Sequence, residues 1–215
     1  MALNLIIFDL DGTLADTLQD TAEAVNEVFR QFNIPAFSTE EIRAVMAGED
    51  SRLRKILFEG QKAGIDLRMF AVAFSRAYSA RLAVHTTLYP GVEETLRQLP
   101  VRQKAVISNK SESLTVAVLD HFGILRCFDA VTGGDSGVGR KPSPAPILHM
   151  LSRLNANPDE TLIMGDCVLD IEAGRTAGIR TIAATYGYGN NHFAHKADFV
   201  VDAFPQVLDI VNQLK

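Results

Sequence analysis

The chain of 215 residues is poor in cysteine and aromatic residues and has no tryptophan. Its two cysteines, Cys127 and Cys167, cannot make the disulfide framework of a small secreted domain, and they fit a reducing compartment. No internal repeat, low-complexity tract or long run of like charge interrupts the sequence. With 47% hydrophobic and 22% charged residues, the composition indicates a globular protein and argues against a disordered or fibrous one.

Long hydrophobic runs and an excess of positive charge are also missing. The apolar run Leu3–Phe8 is too short for a signal sequence or a membrane span, and no basic segment precedes it. The formal net charge of −5 argues against a general nucleic-acid binder. We therefore expect a cytoplasmic protein that binds neither nucleic acid nor membrane.

Short apolar runs alternate with amphipathic stretches, and this alternation is typical of a parallel sheet covered by helices on both faces. The predicted strands are Leu3–Phe8, Lys104–Ser108, Ala130–Thr132, Thr161–Met164, Thr181–Ala184 and Asp198–Val201. The predicted helices of this part are Ser111–Phe122, Pro146–Leu154 and Pro205–Leu214. The fold class expected is α/β, with a Rossmann-like doubly wound parallel sheet as its core.

The connection after the first strand is far longer than one crossover helix needs. Its residues Leu18, Ala22, Val25, Phe29 and Phe32 recur at the spacing of one helix face. Further helical patterns follow; they are Ile42–Met46, Leu53–Phe58 and Met69–Leu82. We predict a small all-helical cap domain over residues 16–84, inserted into a core domain of residues 1–15 and 85–215, with hinges near residues 16–17 and 84–87.

Two acids follow the first predicted strand. Asp9 lies where that strand ends, the edge of an open α/β sheet at which ligands bind, and Asp11 can lie on the same side of the loop. Gly12 lets the backbone turn, and the Thr13 hydroxyl can form a hydrogen bond there. Taken alone, the same residues fit an ordinary turn after a strand equally well.

Three further positions repeat this placement. Ser108 ends the second core strand, Lys141 lies in a proline-rich loop before a helix, and Asp166 ends a buried strand. Two of them also have a purely structural explanation. Ser108 could cap a helix, although Ser111 would serve that role better, and Lys141 could be exposed to solvent. Their joint occurrence after apolar runs, in this order, favours a common site over separate coincidences.

This set of residues resembles the haloacid dehalogenase-like hydrolase superfamily over the whole chain. Asp9 and Asp11 match its Asp-x-Asp-x-Thr motif, Ser108 its Ser/Thr motif and Lys141 its lysine motif. The segment Gly165–Asp170 matches its Gly-Asp-x-x-x-Asp motif. A helical cap between the first and second motifs is also part of the resemblance.

The converging carboxylates repel one another, and a phosphate ester adds negative charge, so a divalent cation is expected; oxygen ligands favour Mg²⁺. The resemblance implies that Asp9 and Asp166 bind Mg²⁺ through their side chains and Asp11 through its backbone carbonyl. Asp170, which could otherwise be only a charge at a helix N-terminus, would hold Asp166 or a metal-bound water.

The resemblance also implies the catalytic roles. Asp9 would attack phosphorus and form an aspartyl-phosphate, while Asp11 would protonate the leaving oxygen and later deprotonate water. Ser108, the Asn109 backbone and Lys141 would hold the phosphate, with Thr13 counted among the substrate-binding residues. Lys141 should also tether Asp9. Because the superfamily's dehalogenases lack an acid at the position of Asp11, the expected chemistry is phosphoryl transfer.

The substrate expected is a small phosphorylated metabolite. The segments Ser108–Lys110, Gly133–Asp135 and Thr185–Gly189 resemble bacterial phosphoglycolate phosphatases, which makes phosphoglycolate the preferred candidate. In the cap, Gly48 and Arg52 are candidate specificity residues, because a cation there could pair with a second acidic group. A solvent-exposed helix face explains Arg52 equally well, and Asp50 occupies the position of a second glycine usual in that branch.

Alternative functions stay open at this point. A hexose-phosphate phosphomutase would use the same chemistry, and relatives of this kind also act on pyrophosphate, nucleotides or amino-sugar phosphates. A more distant alternative is a non-catalytic phospho-receiver module, although such a module has no use for Asp11 together with a helical cap. We expect a monomer or a homodimer.

Overall fold

The computed structural model describes residues 3–51, 55–56 and 66–214 of the chain. Its strands, in chain order, are β1 (Leu5–Phe8), β2 (Ala15–Asp16), β3 (Thr87–Leu88), β4 (Gln103–Ile107), β5 (Ala130–Thr132), β6 (Thr161–Gly165), β7 (Arg180–Ala184) and β8 (Phe199–Val201). Six of them form one parallel sheet in the order β5-β4-β1-β6-β7-β8, which confirms the predicted fold class. The other two, β2 and β3, pair in a separate antiparallel ribbon that was not predicted.

The helices cover both faces of this sheet or lie in the segment predicted to form the cap. In chain order they are α1 (Leu18–Gln31), α2 (Thr39–Met46), α3 (Leu67–Ala80), α4 (Val92–Gln98), α5 (Glu112–His121), α6 (Ala145–Leu154), α7 (Val168–Thr176) and α8 (Val207–Gln213). Helix α4 is absent from the sequence-based prediction, and the predicted terminal helix begins instead with the 3-10 turn Phe204–Gln206. None of the helices among the described residues has the length and apolar character needed to cross a lipid bilayer.

Strand β1 lies at the centre of the sheet and is buried along its whole length. Because side chains alternate between the faces of a strand, Ile6 and Phe8 join one hydrophobic cluster and Leu5 and Ile7 the other. The first cluster includes residues of α4, α5 and α8, and the second includes residues of α6 and α7. Burial on both faces explains why β1 appears in the sequence as an unbroken apolar run.

The strand order places β1 and β6 side by side, although the chain visits β4 and β5 between them. The connection from β1 leads to one side of the sheet and the connection from β6 to the other. Adjacent strands of this kind leave a crevice beyond their carboxyl ends, where open α/β sheets bind ligands. The residues that follow these two strands are Asp9 and Asp166.

The described residues between β2 and β3 form the helices α1, α2 and α3, which share a hydrophobic cluster of their own. Phe29 of α1 is fully buried in this cluster, with its ring centroid 5.3 Å from that of Phe37 and 6.1 Å from that of Phe70. The predicted helix Leu53–Phe58 lies largely outside the described residues. The domain boundaries at residues 15–16 and 84–85 stay a prediction.

Some helix ends differ from the sequence-based expectation. Helix α2 begins earlier than predicted because Ser38 and Glu41 form a capping box. Ser111 does precede α5, but its side chain makes no capping hydrogen bond. The Asp135 carboxylate accepts a hydrogen bond of 2.8 Å from the Glu112 amide instead, so a distant residue caps this helix.

One buried acid connects the two segments by which the chain leaves the core for the helical segment and returns to it. Asp20, in the first turn of α1, is fully buried, and its carboxylate accepts hydrogen bonds from the amides of His85 and Thr86 and from the Thr86 hydroxyl. The adjacent ribbon pairs Asp16 with Thr87. Asp20 therefore fastens the returning chain to the start of α1.

We expect Asp20→Ala to lower the free energy of unfolding by about 1–3 kcal/mol, because it leaves buried backbone amides without acceptors. Urea titrations followed by circular dichroism measure this change. Asp120→Ala, at an exposed position near the end of α5, is the matched control and should change stability by less than about 0.5 kcal/mol. Equal stability of the two variants would show that Asp20 is dispensable.

Candidate functional site

Asp9 is held in a buried position directly after β1. Its Oδ1 accepts a hydrogen bond of 2.7 Å from the Leu10 amide and lies 2.8 Å from Nζ of Lys141. Burial raises the pKa of Asp9 to about 7, although the Lys141 ammonium opposes this effect. Its Oδ2 makes no hydrogen bond to any residue that the structure describes.

Lys141 lies between two acids and has a side chain only 2% exposed. Its Nζ is 2.6 Å from Oδ1 of Asp170 as well as 2.8 Å from Asp9. Burial acts to lower the pKa of Lys141, but the carboxylates of Asp170 and Asp9 outweigh it and raise the pKa. The structure thus brings Lys141 to Asp9, as the sequence analysis expected.

Asn109 was expected near the phosphate, but its side chain has another use. The carboxamide donates to the Lys141 carbonyl and accepts from the Lys141 amide, both at 3.0 Å. This pair of hydrogen bonds fixes the backbone of the Lys141 loop against the end of β4. A contact between the Asn109 backbone and a ligand stays a prediction.

Asp11 lies in surroundings different from those of Asp9. Its Oδ1 accepts hydrogen bonds from Nζ of Lys110 at 2.6 Å and from the Thr17 hydroxyl at 2.5 Å. The Lys110 ammonium also lies 4.4 Å from the ring centre of Tyr78, a residue of α3. Asp11 is therefore connected to the cap helices, whereas Asp9 is connected to the core.

Asp166 is ordered by the loop that follows β1 and by the segment after β7. The Thr13 hydroxyl donates to its Oδ1 at 3.0 Å, and the Tyr188 amide donates to its Oδ2 at 2.7 Å. Thr13 is fully buried and its side chain orients Asp166, and the substrate contact expected of it stays a prediction. A Cβ at Gly12 would lie 2.1 Å from Oδ2 of Asp166, which requires glycine at that position.

Asp170 makes no hydrogen bond to Asp166 in the described structure, and its expected hold on a metal-bound water stays a prediction. Besides binding Lys141 through Oδ1, it accepts a hydrogen bond at Oδ2 from the Cys167 thiol at 3.1 Å. Burial raises the pKa of Cys167 well above its ordinary value, so this residue carries a neutral thiol. A neutral thiol is a poor ligand for a hard cation, although Asp166, Cys167 and Asp170 cluster closely enough for metal binding.

The remaining oxygens fit a divalent cation. The Asp166 side chain is buried, and burial followed by the negative charges of Asp9 and Asp170 raises its pKa well above the usual range. The Asp11 backbone carbonyl accepts no hydrogen bond from the described part of the chain. Two carboxylates that repel each other, and a carbonyl without a donor, are the kinds of oxygen ligand that suit Mg²⁺.

Ser108 presents a hydroxyl at the end of β4. It is 2% exposed, and its Oγ accepts a hydrogen bond of 3.2 Å from the Lys110 amide. The Ser108 hydroxyl donates a hydrogen bond to no acceptor among residues 3–51, 55–56 and 66–214. It is therefore available to donate to an anionic ligand.

The cap helices lie directly against this edge of the core. The Arg43 guanidinium donates to the Tyr188 carbonyl, and the Asn190 amide donates to Glu49 at 2.6 Å. Gly48 has a φ of +75°, and a Cβ there would lie 2.8 Å from the Leu169 side chain. Gly48 therefore allows close approach of the cap loop, whereas Arg52 lies outside the described residues.

Sequence reasoning missed three residues that organise the site. Lys110 and Thr17 bind Asp11, and the Tyr188 hydroxyl accepts from the Thr17 amide at 2.6 Å and donates to Asp16 at 3.0 Å. Lys110 directly follows Ser108 and Asn109, so its position beside the motif was an available signal. Tyr188 and Thr17 are far apart in sequence, and only the folded chain joins them.

Comparisons with known proteins agree on one group of relatives. The family model described as haloacid dehalogenase-like hydrolase matches residues 6–184. The chain is 33% identical over 216 residues to a phosphoglycolate phosphatase of Chromobacterium violaceum, covering 98% of this chain and 97% of that protein. It is also 33% identical over 189 residues to one of Aquifex aeolicus, covering 86% of each chain. A crystal structure from Haemophilus somnus 129pt, named as a predicted phosphoglycolate phosphatase, has a TM-score of 0.84 at 30% identity and covers 97% of both chains.

We expect Asn109→Ala to lower the free energy of unfolding by about 1–3 kcal/mol and to speed hydrogen exchange at the Lys141 amide, which loses its acceptor. Urea titration and hydrogen-exchange mass spectrometry measure the two effects. Gln98→Ala removes an exposed carboxamide whose one hydrogen-bond partner among the described residues is Glu94, in the preceding turn, and should change neither quantity. Unchanged exchange at Lys141 in the Asn109 variant would contradict the proposed clamp.

Proposed function

The chain belongs to the haloacid dehalogenase-like hydrolase family and is a phosphoric monoester hydrolase, and we propose that phosphoglycolate is its preferred substrate. One observation carries the mechanism: Asp9 and Asp11, two residues apart, lie in different surroundings and can take different roles. The preference for phosphoglycolate is supported by relatives of that name that match nearly the whole chain.

We propose that Asp9 is the nucleophile. Its Oδ1 is held by Leu10 and Lys141, which leaves Oδ2 without a partner in the described structure and free to attack phosphorus. The bond that forms joins this oxygen to phosphorus, and the bond that breaks joins phosphorus to the ester oxygen. The product of this step is an aspartyl-phosphate and a leaving alcohol.

Asp11 supplies the proton that the leaving oxygen needs. In the second step it takes a proton from the water that attacks the aspartyl-phosphate, so that phosphate leaves and both aspartates return to their starting states. Lys110 and Thr17 hold Asp11 on the side of the cap. Ser108 and Lys141 offset the charge on the transferring phosphoryl oxygens, together with the Asn109 amide.

Asp9, Asp166 and the Asp11 carbonyl would hold Mg²⁺. When bound, the ion would neutralise part of the phosphate charge and act as a Lewis acid on a phosphoryl oxygen. Thr13, Gly12 and the Tyr188 amide keep Asp166 oriented toward this place. The cap helices exclude water from the site and bring the rest of the substrate into contact with the cap.

A panel of phosphate esters tests the substrate. We expect release of inorganic phosphate, with the highest kcat/KM on phosphoglycolate among phosphoglycolate, glucose 1-phosphate, pyrophosphate, a nucleoside monophosphate and glucosamine 6-phosphate. Conversion of glucose 1-phosphate to its isomer without phosphate release would instead indicate the phosphomutase. Absence of turnover on every ester would favour the phospho-receiver.

We expect Asp9→Asn to abolish turnover and Asp11→Asn to reduce kcat by about 10²–10⁴-fold. Calorimetric titration with Mg²⁺ should show that Asp11→Asn still binds the ion, because its ligating atom is in the backbone. Thermal unfolding of both variants checks that the fold persists. Near-normal turnover by Asp9→Asn, or loss of Mg²⁺ binding by Asp11→Asn, would contradict the assignment.

The raised pKa of Asp9 predicts how stability depends on pH without metal. Folded Asp9 keeps its proton up to a pKa of about 7, whereas the unfolded chain releases it near 3.8, so the folded state binds more protons between these values. Its contribution to stability is therefore complete below pH 3.8 and is lost as pH rises through about 7.

In EDTA we expect the Tm of the wild-type protein to fall between pH 5 and pH 8 relative to that of Asp9→Asn, whose neutral amide does not titrate. Adding Mg²⁺ should raise the wild-type Tm more at pH 8, where the carboxylate is ionised, than at pH 5. Differential scanning calorimetry measures both trends. Parallel curves for the two proteins would show that Asp9 is not the titrating group.

A further inference from the structure

Lys110 is a buried cation that has no role in the mechanism beyond its contact with Asp11. Its side chain is 5% exposed, and its ammonium donates to Asp11 at 2.6 Å and to the Tyr78 hydroxyl at 3.3 Å. Its backbone is anchored in the core, because its amide donates to Ser108 and its carbonyl accepts from the Gly134 amide. Both the core loop and the cap helix therefore contact this one ammonium.

The contacts at Asp11 are divided unequally between its two oxygens. Lys110 and Thr17 both donate to Oδ1, while Oδ2 makes no hydrogen bond within the described structure. A carboxyl group fixed at one oxygen can rotate little, so the direction of its second oxygen is set by these donors. The second oxygen is then the one that can exchange a proton with a substrate.

We propose that Lys110 is a positioning residue that holds Asp11 at Oδ1 and aims Oδ2 at the leaving-group oxygen. The proposal rests on the proposed function, in which Asp11 gives its proton to that oxygen as the phosphorus–oxygen bond breaks. Lys110 itself stays protonated throughout and touches neither substrate nor metal. It acts on the rate only through Asp11.

Tyr78 makes this arrangement depend on the cap. It belongs to α3, is fully buried, and places its ring 4.4 Å from the Lys110 ammonium. A cation over an aromatic ring is stabilised by the negative face of the ring, and the Tyr78 hydroxyl adds a hydrogen-bond acceptor. The cap therefore completes the support of the proton donor when it lies on the core.

Another role for Lys110 would be to bind a second anionic group of the substrate. The two roles predict different kinetics. Loss of a substrate-binding cation raises KM for a carboxylated substrate, whereas misplacement of the proton donor lowers kcat most for esters whose leaving group most needs a proton.

Two small esters of similar size separate these effects: ethyl phosphate, which leaves as a strongly basic alkoxide, and 2,2,2-trifluoroethyl phosphate, which leaves as a weaker base. The quantity compared is the kcat on 2,2,2-trifluoroethyl phosphate divided by the kcat on ethyl phosphate. We expect Lys110→Met to raise this ratio by about tenfold or more. KM should change little for either ester. Asp11→Asn should raise the same ratio further, and the double variant no more than Asp11→Asn.

Matched variants guard against a general structural effect. Lys110→Arg keeps a cationic donor and should restore part of the lost rate on ethyl phosphate. Tyr78→Leu should change the ratio in the same direction as Lys110→Met, but less. Lys196→Met removes an exposed lysine paired only loosely with Glu172, at 3.6 Å, and should leave the ratio and both rates unchanged.

A crystal structure of Lys110→Met supplies a readout that needs no activity, and we expect the Asp11 carboxylate in a changed rotamer. Equal loss of kcat on both esters, or a raised KM for phosphoglycolate alone, would overturn the positioning role while leaving the phosphatase intact. If the wild-type protein hydrolyses no ester, the proposed function fails. The role of Lys110 is refuted separately if the Asp11 carboxylate keeps its wild-type rotamer in the crystal structure of Lys110→Met.

Discussion

The ion pairs of the buried Lys141 ammonium are the interactions on which the whole site depends. The ammonium lies between Asp9 and Asp170, within 2.8 Å of the first and 2.6 Å of the second. Removing one member of such a buried ionic group typically costs about 3–5 kcal/mol, because the remaining charge loses its partner. The Asn109 side chain makes two hydrogen bonds to the backbone of this lysine. These bonds fix the loop that carries the positive charge, and that charge offsets the repulsion between the buried carboxylates.

The two aspartates after β1 bind different lysines. Asp9 faces the core lysine, whereas Asp11 faces Lys110, Thr17 and, through Lys110, Tyr78 of the cap. Under the proposed mechanism these different neighbours let one residue type act as a nucleophile at one position and as a proton carrier two residues later. In the proposed mechanism the cap therefore also helps to support the proton donor, Asp11.

The strands and their end residues could be predicted, because each is a local pattern. A run buried on both faces reads as continuous apolar sequence, and an acid that ends it lies at the ligand-binding edge. The partners of those acids could not be predicted in the same way. The hydrogen bond from Thr13 to Asp166 was not foreseen. The side chain that accepts a hydrogen bond from the first turn of α5 belongs to Asp135 and not to Ser111.

The sequence by itself determined the α/β class, the central apolar strands, a helical segment after the first strand and the set of acids and lysine that mark the family. Only the tertiary structure decided that Lys110 binds Asp11 and that Lys141 also binds Asp170. It also decided that Asn109 clamps Lys141 and that α2 and α3 meet the core beside the site. Hydrophobic period and strand ends are properties of neighbouring residues. A partner 32 or 99 residues away becomes a neighbour only after strand order and helix packing have placed it there.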